Sequence, residues 1–489
     1  MKSPENKIVK NTGYFTGALV LQKIISFIYF SYLATKLGAE NTASYFFALS
    51  FSTIFSVFVD FGLASLINRE IAKNKESDQK LLSNAIGIKL LSSIIVFIVI
   101  ILTSKILGYS QYLIKMIVLS SFIMVLDNFT SLFFSIIRGK HNLKYESIGS
   151  IVFQLIVSCF GYVTLQITKD PFTLLFAILC ASTINLIYSS IIIKFKYKLS
   201  IIPKFDKVFI KILIISALPF AISAIFTRIS GSIDSIILSK MSTQMSLGYY
   251  ALAYKITFAF QFIPMAFSAS LYPAFTHFYN YEKEKLYNIF NKSMKYLLLI
   301  SMPISFGIIA IAYPITIKIY GESFIGSVLT LQILILNLPF IFLTFPTGAF
   351  LNACNLQKIH TKNIGITMII SIILNLILIP IYAQNGAAIA SVLSSAVYLI
   401  LNIHSSIKKI KYKSKELIIN FFKISISCLI MYFIVICINS KINLLFSIIL
   451  GIISYTLSIF LLKILQKNDI QMLINIFRKK PESTLQEIS

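Results

Sequence analysis

ILIISALPFAISAIFTRISGSIDSIILS, running from Ile212 to Ser239, is the stretch whose reading decides the fold. It is long enough to cross a bilayer, for which about 20 apolar residues suffice. Yet Arg228 and Asp234 lie inside it, and the next apolar run, Leu247 to Phe275, holds Lys255. A charge at the centre of a membrane helix costs about 2.5–3.5 kcal/mol on insertion scales, so such residues face a protein interior or a water-filled cavity. The two runs read as a membrane hairpin that turns its charges inward, an arrangement suited to an anionic ligand carried on a lipid.

The rest of the chain has the same character. Of 489 residues, 57% are hydrophobic and 13% charged, a composition of membrane spans rather than of a soluble core. Fourteen spans are expected, near 12–35, 45–67, 84–104, 112–137, 147–167, 172–193, 212–239, 247–275, 294–317, 325–351, 363–382, 386–407, 417–438 and 442–462. Strands of a membrane barrel would be about 10 residues long and strictly alternating. These runs are long and unbroken, so the fold class is all-α integral membrane. The first run is too long for a signal-peptide core and reads as an uncleaved helix.

The net charge of +26 invites a nucleic-acid reading, but its distribution speaks for topology. Segments taken alternately from the N-terminus hold 32 Lys and Arg, whereas the intervening ones hold 7: Lys36, Lys105, Lys115, Lys169, Lys240, Lys318 and Lys441. Basic loops stay in the cytoplasm. Both termini are expected there, in a multi-pass membrane protein. The loops Lys194–Lys211 and His277–Ser293 are the longest cytoplasmic connections. Leu286, Ile289 and Phe290 in the second, and Ile470, Leu473, Ile474 and Phe477 in the tail, fall at helical spacing and suggest basic amphipathic helices on the membrane surface.

The two halves resemble each other. Aligning Phe46-Phe47-Ala48-Leu49 with Tyr249-Tyr250-Ala251-Leu252 gives a repeat with the same membrane orientation. This predicts an N-terminal lobe (1–200, spans 1–6), a C-terminal lobe (201–412, spans 7–12), two added spans (413–465) and a cytoplasmic tail (466–489). Eight of twelve prolines fall in or beside spans 7 to 11, so the second lobe is expected to be the more bent. The five cysteines (Cys159, Cys180, Cys354, Cys428 and Cys437) lack metal-ligand spacing and read as small hydrophobes. The four histidines form no cluster, and no metal site is expected.

DFGLASLINRE (Asp60–Glu70), RISGSIDSIILSKMSTQMSLGYYALAYKI (Arg228–Ile256) and LNACNLQKIHTKNIGITMIISIILNLILIPIYAQNGAAIASVLSS (Leu351–Ser395) resemble the polysaccharide-transport family of the multidrug/oligosaccharidyl-lipid/polysaccharide flippase superfamily, Wzx-type O-antigen flippases in particular. The resemblance covers nearly the whole chain. It implies a MATE-like fold of two six-helix lobes, with a cavity lined by spans 1, 2, 7 and 8 that opens alternately to either side. It also implies an activity. An undecaprenyl-diphosphate-linked oligosaccharide, an O-antigen or capsule repeat unit of lipopolysaccharide-type biosynthesis, would be moved to the outer leaflet, with the polysaccharide polymerase and other assembly proteins as partners.

The residues converge on the same helices. Lys23, Arg228 and Lys255 are the candidate substrate-binding cations, because a diphosphate needs compensating positive charge to leave the headgroup region; Arg offers a bidentate fork and Lys a point charge. Under the repeat offset Lys23 falls two places from Arg228 at similar depth. Asp234 and Lys255 are about equally far from the turn that joins their helices, which suggests an ion pair. Asp60, Asp127 and Asp234 are the candidates for ion pairing or for ion coupling; a proton or sodium ion would be the only cofactor. Thr16, Gln22, Ser26, Thr227, Ser230, Tyr254 and Gln261 are placed to meet the sugar or to pack between helices.

Three other readings stay open: another transporter of the same superfamily (a flippase for lipid II or teichoic precursors, or a drug/ion antiporter), a membrane glycosyltransferase, polymerase or ligase, and a non-transporting scaffold for the polysaccharide machinery. The extra pair of spans argues against an antiporter. An enzyme finds little support in the short outer loops, whose only acids are Glu40, Asp170 and Glu322. No P-loop, HExxH or GxSxG pattern occurs.

Overall fold

A computed structural model describes residues 4–73, 78–410, 415–439 and 443–464. Among these residues there is no strand. The helices are, in chain order, α1 (Pro4–Asp60), α2 (Leu63–Ala72), α3 (Asp78–Ile106), α4 (Gln111–Gly139), α5 (Lys144–Ile167), α6 (Pro171–Ile191), α7 (Lys207–Ser230) and α8 (Ile233–Met241). They continue as α9 (Gln244–Ala259), α10 (Phe262–Tyr281), α11 (Lys283–Ile315), α12 (Ser327–Leu334), α13 (Asn337–Ala353), α14 (Gln357–Ile410), α15 (Lys415–Asn439) and α16 (Leu444–Leu461).

Twelve helical stretches among the described residues are long and apolar enough to cross a membrane. Two of them fold back on themselves. Straight, the 57 residues of α1 would extend about 85 Å, nearly three times the hydrocarbon thickness. Instead the chain turns at Gly38 (φ 74°, ψ 178°), a region open essentially to glycine alone. The side chains of Tyr29 and Tyr45 then meet, although a straight helix would hold them about 24 Å apart. The 54-residue α14 reverses at Ala383 (φ 48°) in the same way. A Cβ built on Gly386 would lie 2.2 Å from the Leu378 carbonyl oxygen, so the two arms touch where glycine omits its side chain. Each reversal places two of the expected spans in one continuous helical stretch.

The breaks gather between residues 207 and 353, where proline is concentrated. Pro264 and Pro339 are each the third residue of a helix that restarts after an interruption, α10 and α13. There the missing N–H costs nothing, because the first turn of a helix has no intrahelical acceptor for it. The carbonyl freed at Ile335 accepts a hydrogen bond from Ser305 Oγ (3.0 Å). The break between α7 and α8, in contrast, falls at Gly231–Ser232 rather than at Pro219.

The chain packs as two compact units. One comprises Met1–Phe262, Ile319–Gly326 and Ile364–Ala390; the other comprises Ile263–Lys318, Ser327–Asn363 and Ser391–Ser489. In the first unit, α2 buries Leu63, Leu66, Ile67 and Ile71 against α4 and α7. Gly62 (φ 75°) fits against the Ala217 carbonyl and the Ala221 amide of α7, where any side chain would clash. Asp206 caps α7 by accepting from the Phe209 amide (3.1 Å), which with nearby Lys80 holds its carboxyl below the usual range.

In the second unit, α11 packs on α13 and α15, and Tyr455 of α16 donates to the Leu299 carbonyl (2.8 Å). Here one expectation is overturned. The 277–293 segment does not form a separate helix on the membrane surface, because α10 reaches Tyr281 and α11 starts at Lys283 and runs unbroken to Ile315. Leu286 and Phe290 are 2% and 1% exposed, and Phe290 packs on Phe350 (5.0 Å between centroids) and Phe275 (6.3 Å). The apolar stripe is real, but protein covers it. The similar stripe in the tail lies outside the described residues.

Candidate functional site

Within the first unit, α1 meets α7, α8 and α9, and these helices carry the charges singled out in the sequence. Lys23 is on the first arm of α1 and is exposed. Lys255 on α9 is half-buried, close enough for its charge to be opposed by that of Lys23, with its ammonium 5.3 Å from the Phe30 ring centroid. Arg228, exposed near the end of α7, acts electrostatically on Tyr254, the residue before Lys255. Among the described residues no carboxylate lies within ion-pairing distance of any of the three. Unneutralised cations at such positions are costly unless water or an anionic ligand meets them.

The expected Asp234–Lys255 ion pair is not formed. Asp234 is 7% exposed and accepts from Tyr250 Oη (2.7 Å) and from Asn375 Nδ2 (2.7 Å). Asn375 Nδ2 also donates to the Ser371 carbonyl (2.8 Å). Asn375 Oδ1 is buried and has no hydrogen-bond partner among the described residues. The pairing fails because helical phase is reset at the Gly231–Ser232 break, so equal distance from the turn no longer means the same face. Asp234 turns to α9 and α14, while Lys255 turns to α1.

Asp60 does have a cation, which sequence reasoning did not single out. Lys89 on α3 is fully buried and donates to Asp60 Oδ1 (2.6 Å) and to the Asn128 carbonyl on α4 (2.8 Å). Asp60 Oδ1 also accepts from the Ala64 amide (3.4 Å), so the carboxylate caps α2 and joins three helices. The signal for Lys89 was present: a lone lysine in an apolar span of the same half as an intramembrane aspartate. Asp127 is exposed, interacts with Ser182 on α6, and has no cationic partner among the described residues.

Aromatic rings adjoin the cations. Tyr250, Tyr254 and Phe258 repeat every fourth residue along α9, with Tyr254 and Phe258 stacked at 4.1 Å and 25°. Phe46, on the second arm of α1, lies 5.7 Å from Tyr254. Of the other polar candidates, Thr227 returns its hydroxyl to the Ser223 carbonyl of its own helix (2.8 Å), a packing bond.

At one end of this site the segments are tightly joined. Gly248 of α9 lies against the backbone at Ala39, just past the α1 reversal. Gln244 bonds Ser44, and Tyr109 bonds Ser239 (3.1 Å). Lys240 covers the Tyr109 ring at 3.6 Å and reaches the Leu107 carbonyl. Ser31 bonds Tyr320 (2.9 Å), and Thr35 donates to the Ile319 carbonyl (3.0 Å). These are all segments that the basic-loop pattern assigns to the outer side.

Comparison with known proteins places these features in context. The family described as "Polysaccharide biosynthesis protein" matches residues 8–279, and the MatE family matches residues 206–377. A curated relative from Haloferax volcanii, "Probable low-salt glycan biosynthesis flippase Agl15", is 22% identical over 402 residues, covering 80% of this chain and 82% of the relative. Among solved structures, lipid II flippase MurJ in an inward closed conformation superposes with a TM-score of 0.76 at 19% identity, covering 91% of this chain and 97% of MurJ. An inward-facing MATE multidrug resistance transporter of the MOP superfamily gives 0.64 at 15% identity, with 81% and 98% covered. The proteins this chain resembles are flippases and transporters, not enzymes, and the fold is that of the MOP superfamily.

Proposed function

The chain belongs to the polysaccharide biosynthesis protein family, and on that premise we propose that it is a flippase for a lipid-linked oligosaccharide. The substrate is an oligosaccharide on undecaprenyl diphosphate, an O-antigen or capsule repeat unit, carried from the cytoplasmic to the outer leaflet of the inner membrane by alternating access. The protein sits there with both termini in the cytoplasm, and hands its product to the polymerase and other assembly proteins.

One observation carries the reading: three cations without carboxylate partners among the described residues, Lys23, Arg228 and Lys255, border one aromatic-lined site on broken helices. A diphosphate supplies the missing anion. Its charge is sheltered there while the isoprenoid chain stays in lipid, so neither part crosses the hydrocarbon exposed. The joined end around Ala39 and Gly248 supports a state closed to the outside. Release then requires those contacts to separate and the opposite end to close.

Coupling to a proton or a sodium ion is part of this proposal. Asp234 is the residue for it, since the neighbouring Asn375 Oδ1 is buried without a partner among the described residues and suits a proton-bearing carboxyl or a small hard cation. Asp127 is the second candidate.

The decisive experiment is reconstitution of the purified protein in vesicles holding fluorescent lipid-linked oligosaccharide, with leaflet transfer followed by quenching from outside. Transfer above that of protein-free vesicles is expected, and its loss in Lys23→Gln and Arg228→Gln variants of normal abundance. Transfer at the protein-free rate would remove the flippase reading. Lipid II remains the second substrate to test, on the ground of the MurJ likeness.

A further inference from the structure

The cations account for the diphosphate, but every lipid carrier of this kind bears the same diphosphate, so they cannot read the sugar. Something beside them must. The row on α9 changes character along its length: Tyr250 is fully buried, whereas Tyr254 and Phe258, one and two turns on, are each partly exposed. The accessible pair adjoins Lys255 in sequence, and Tyr254 is backed by the buried Phe46 of α1.

Resting on the flippase reading, we propose that Tyr254 and Phe258 form a stacking platform for a pyranose ring of the substrate, next to the diphosphate held by Lys23, Lys255 and Arg228. An aromatic face carries the negative lobe of the ring quadrupole. The axial C–H bonds on one face of a sugar ring present weak positive charge and apolar surface to it, while the hydroxyls point outward around the rim. The first sugar is bonded directly to the distal phosphate, so an anion at the lysines delivers that ring to the neighbouring residues of α9. The isoprenoid chain is the other apolar candidate. The platform suits it poorly, because the Tyr254 hydroxyl is held in the field of Arg228 and Asp234, where a hydrocarbon would strip solvent from charged groups and return nothing.

The chain contains no tryptophan, which makes a direct readout available. Full-length Phe258→Trp protein in lipid nanodiscs carries one indole at the platform. Titration with lipid-linked oligosaccharide should shift its emission, and sugar-free polyprenyl diphosphate, binding through the phosphates, should not. In vesicles, Tyr254→Leu should weaken the apparent affinity for the glycosylated lipid by about three- to tenfold, as expected for loss of one ring contact. Competition by the sugar-free lipid should be unaltered, and Tyr254→Phe should retain most of the wild-type affinity. Lys255→Gln should weaken both lipids. An equal emission shift with both lipids, or equal losses for both in Tyr254→Leu, would overturn the platform in favour of a tail contact or simple packing. If wild-type protein moves neither lipid, the flippase reading itself fails; if it moves both and Tyr254→Leu is indifferent, only the platform does.

Discussion

Gly248→Ala tests the closed end of the site with one methyl group. A Cβ at this position would lie 2.1 Å from the Ala39 carbonyl oxygen, 2.7 Å from its carbonyl carbon and 3.1 Å from its Cα. These are backbone atoms beside the Gly38 reversal, so no rotamer change relieves the contact. Ordinary contact begins near 3.4 Å, so α9 must withdraw from α1 by more than 1 Å, enough to break the Gln244–Ser44 hydrogen bond. Overpacking of this kind costs about 1–3 kcal/mol. Applied to the closed state alone, it shifts the balance between closed and open by about 5- to 150-fold. The assay replaces the five native cysteines, introduces Ser44→Cys with Gln244→Cys, and measures oxidative cross-linking in membranes. Gly248→Ala should lower the cross-linked fraction, Gly248→Val should lower it further, and labelling of Ser44→Cys by a membrane-impermeant thiol reagent should rise. Unchanged cross-linking in both glycine variants at equal abundance would refute the argument, because it would mean that the contact does not close the site.

Removing either member of the Asp60–Lys89 pair should have unequal effects. Asp60→Asn strands a fully buried ammonium and should cost about 3–5 kcal/mol, whereas Lys89→Met leaves a carboxylate whose side chain is 23% exposed and should cost clearly less. Thermal melting in detergent checks the order, and the double variant should recover most of the loss. Asp234→Asn keeps the hydrogen-bonding shape at Tyr250 and Asn375 but removes the charge; transport should become indifferent to imposed proton and sodium gradients, and an unaltered gradient response would clear Asp234 of the coupling role. Charge reversal at Asp234 together with Lys255 should give no mutual rescue of transport, since the two residues contact different helices.

The helical membrane class was legible without coordinates, because hydropathy and charge density are sums over neighbouring residues. A lysine or arginine inside an apolar run marks itself. Proline content alone did not locate the helix breaks, because helices continue through Pro219, Pro273, Pro303, Pro346 and Pro380, whereas the resemblance of Asp60–Glu70, Arg228–Ile256 and Leu351–Ser395 to polysaccharide transporters agrees with the family match. The pairing of charges was not legible. Asp234 and Lys255 looked like partners by their distance from a turn, yet a single break at Gly231–Ser232 rotated one away from the other. Its actual partner, Asn375, lies 141 residues further along the chain.

What the sequence determined by itself is therefore what the bilayer enforces: long apolar helices, their basic connections, and the rarity that makes each intramembrane charge conspicuous. The tertiary structure decided which faces meet. It covered Leu286 and Phe290 with protein instead of lipid, joined Lys89 to Asp60, and brought Lys23 beside Lys255 around an aromatic row. The reason is physical. A membrane selects residues by their individual transfer energies, which act locally, whereas contacts between helices depend on phase and close approach. Those are set by a few breaks and glycines whose effect appears only when the helices are packed.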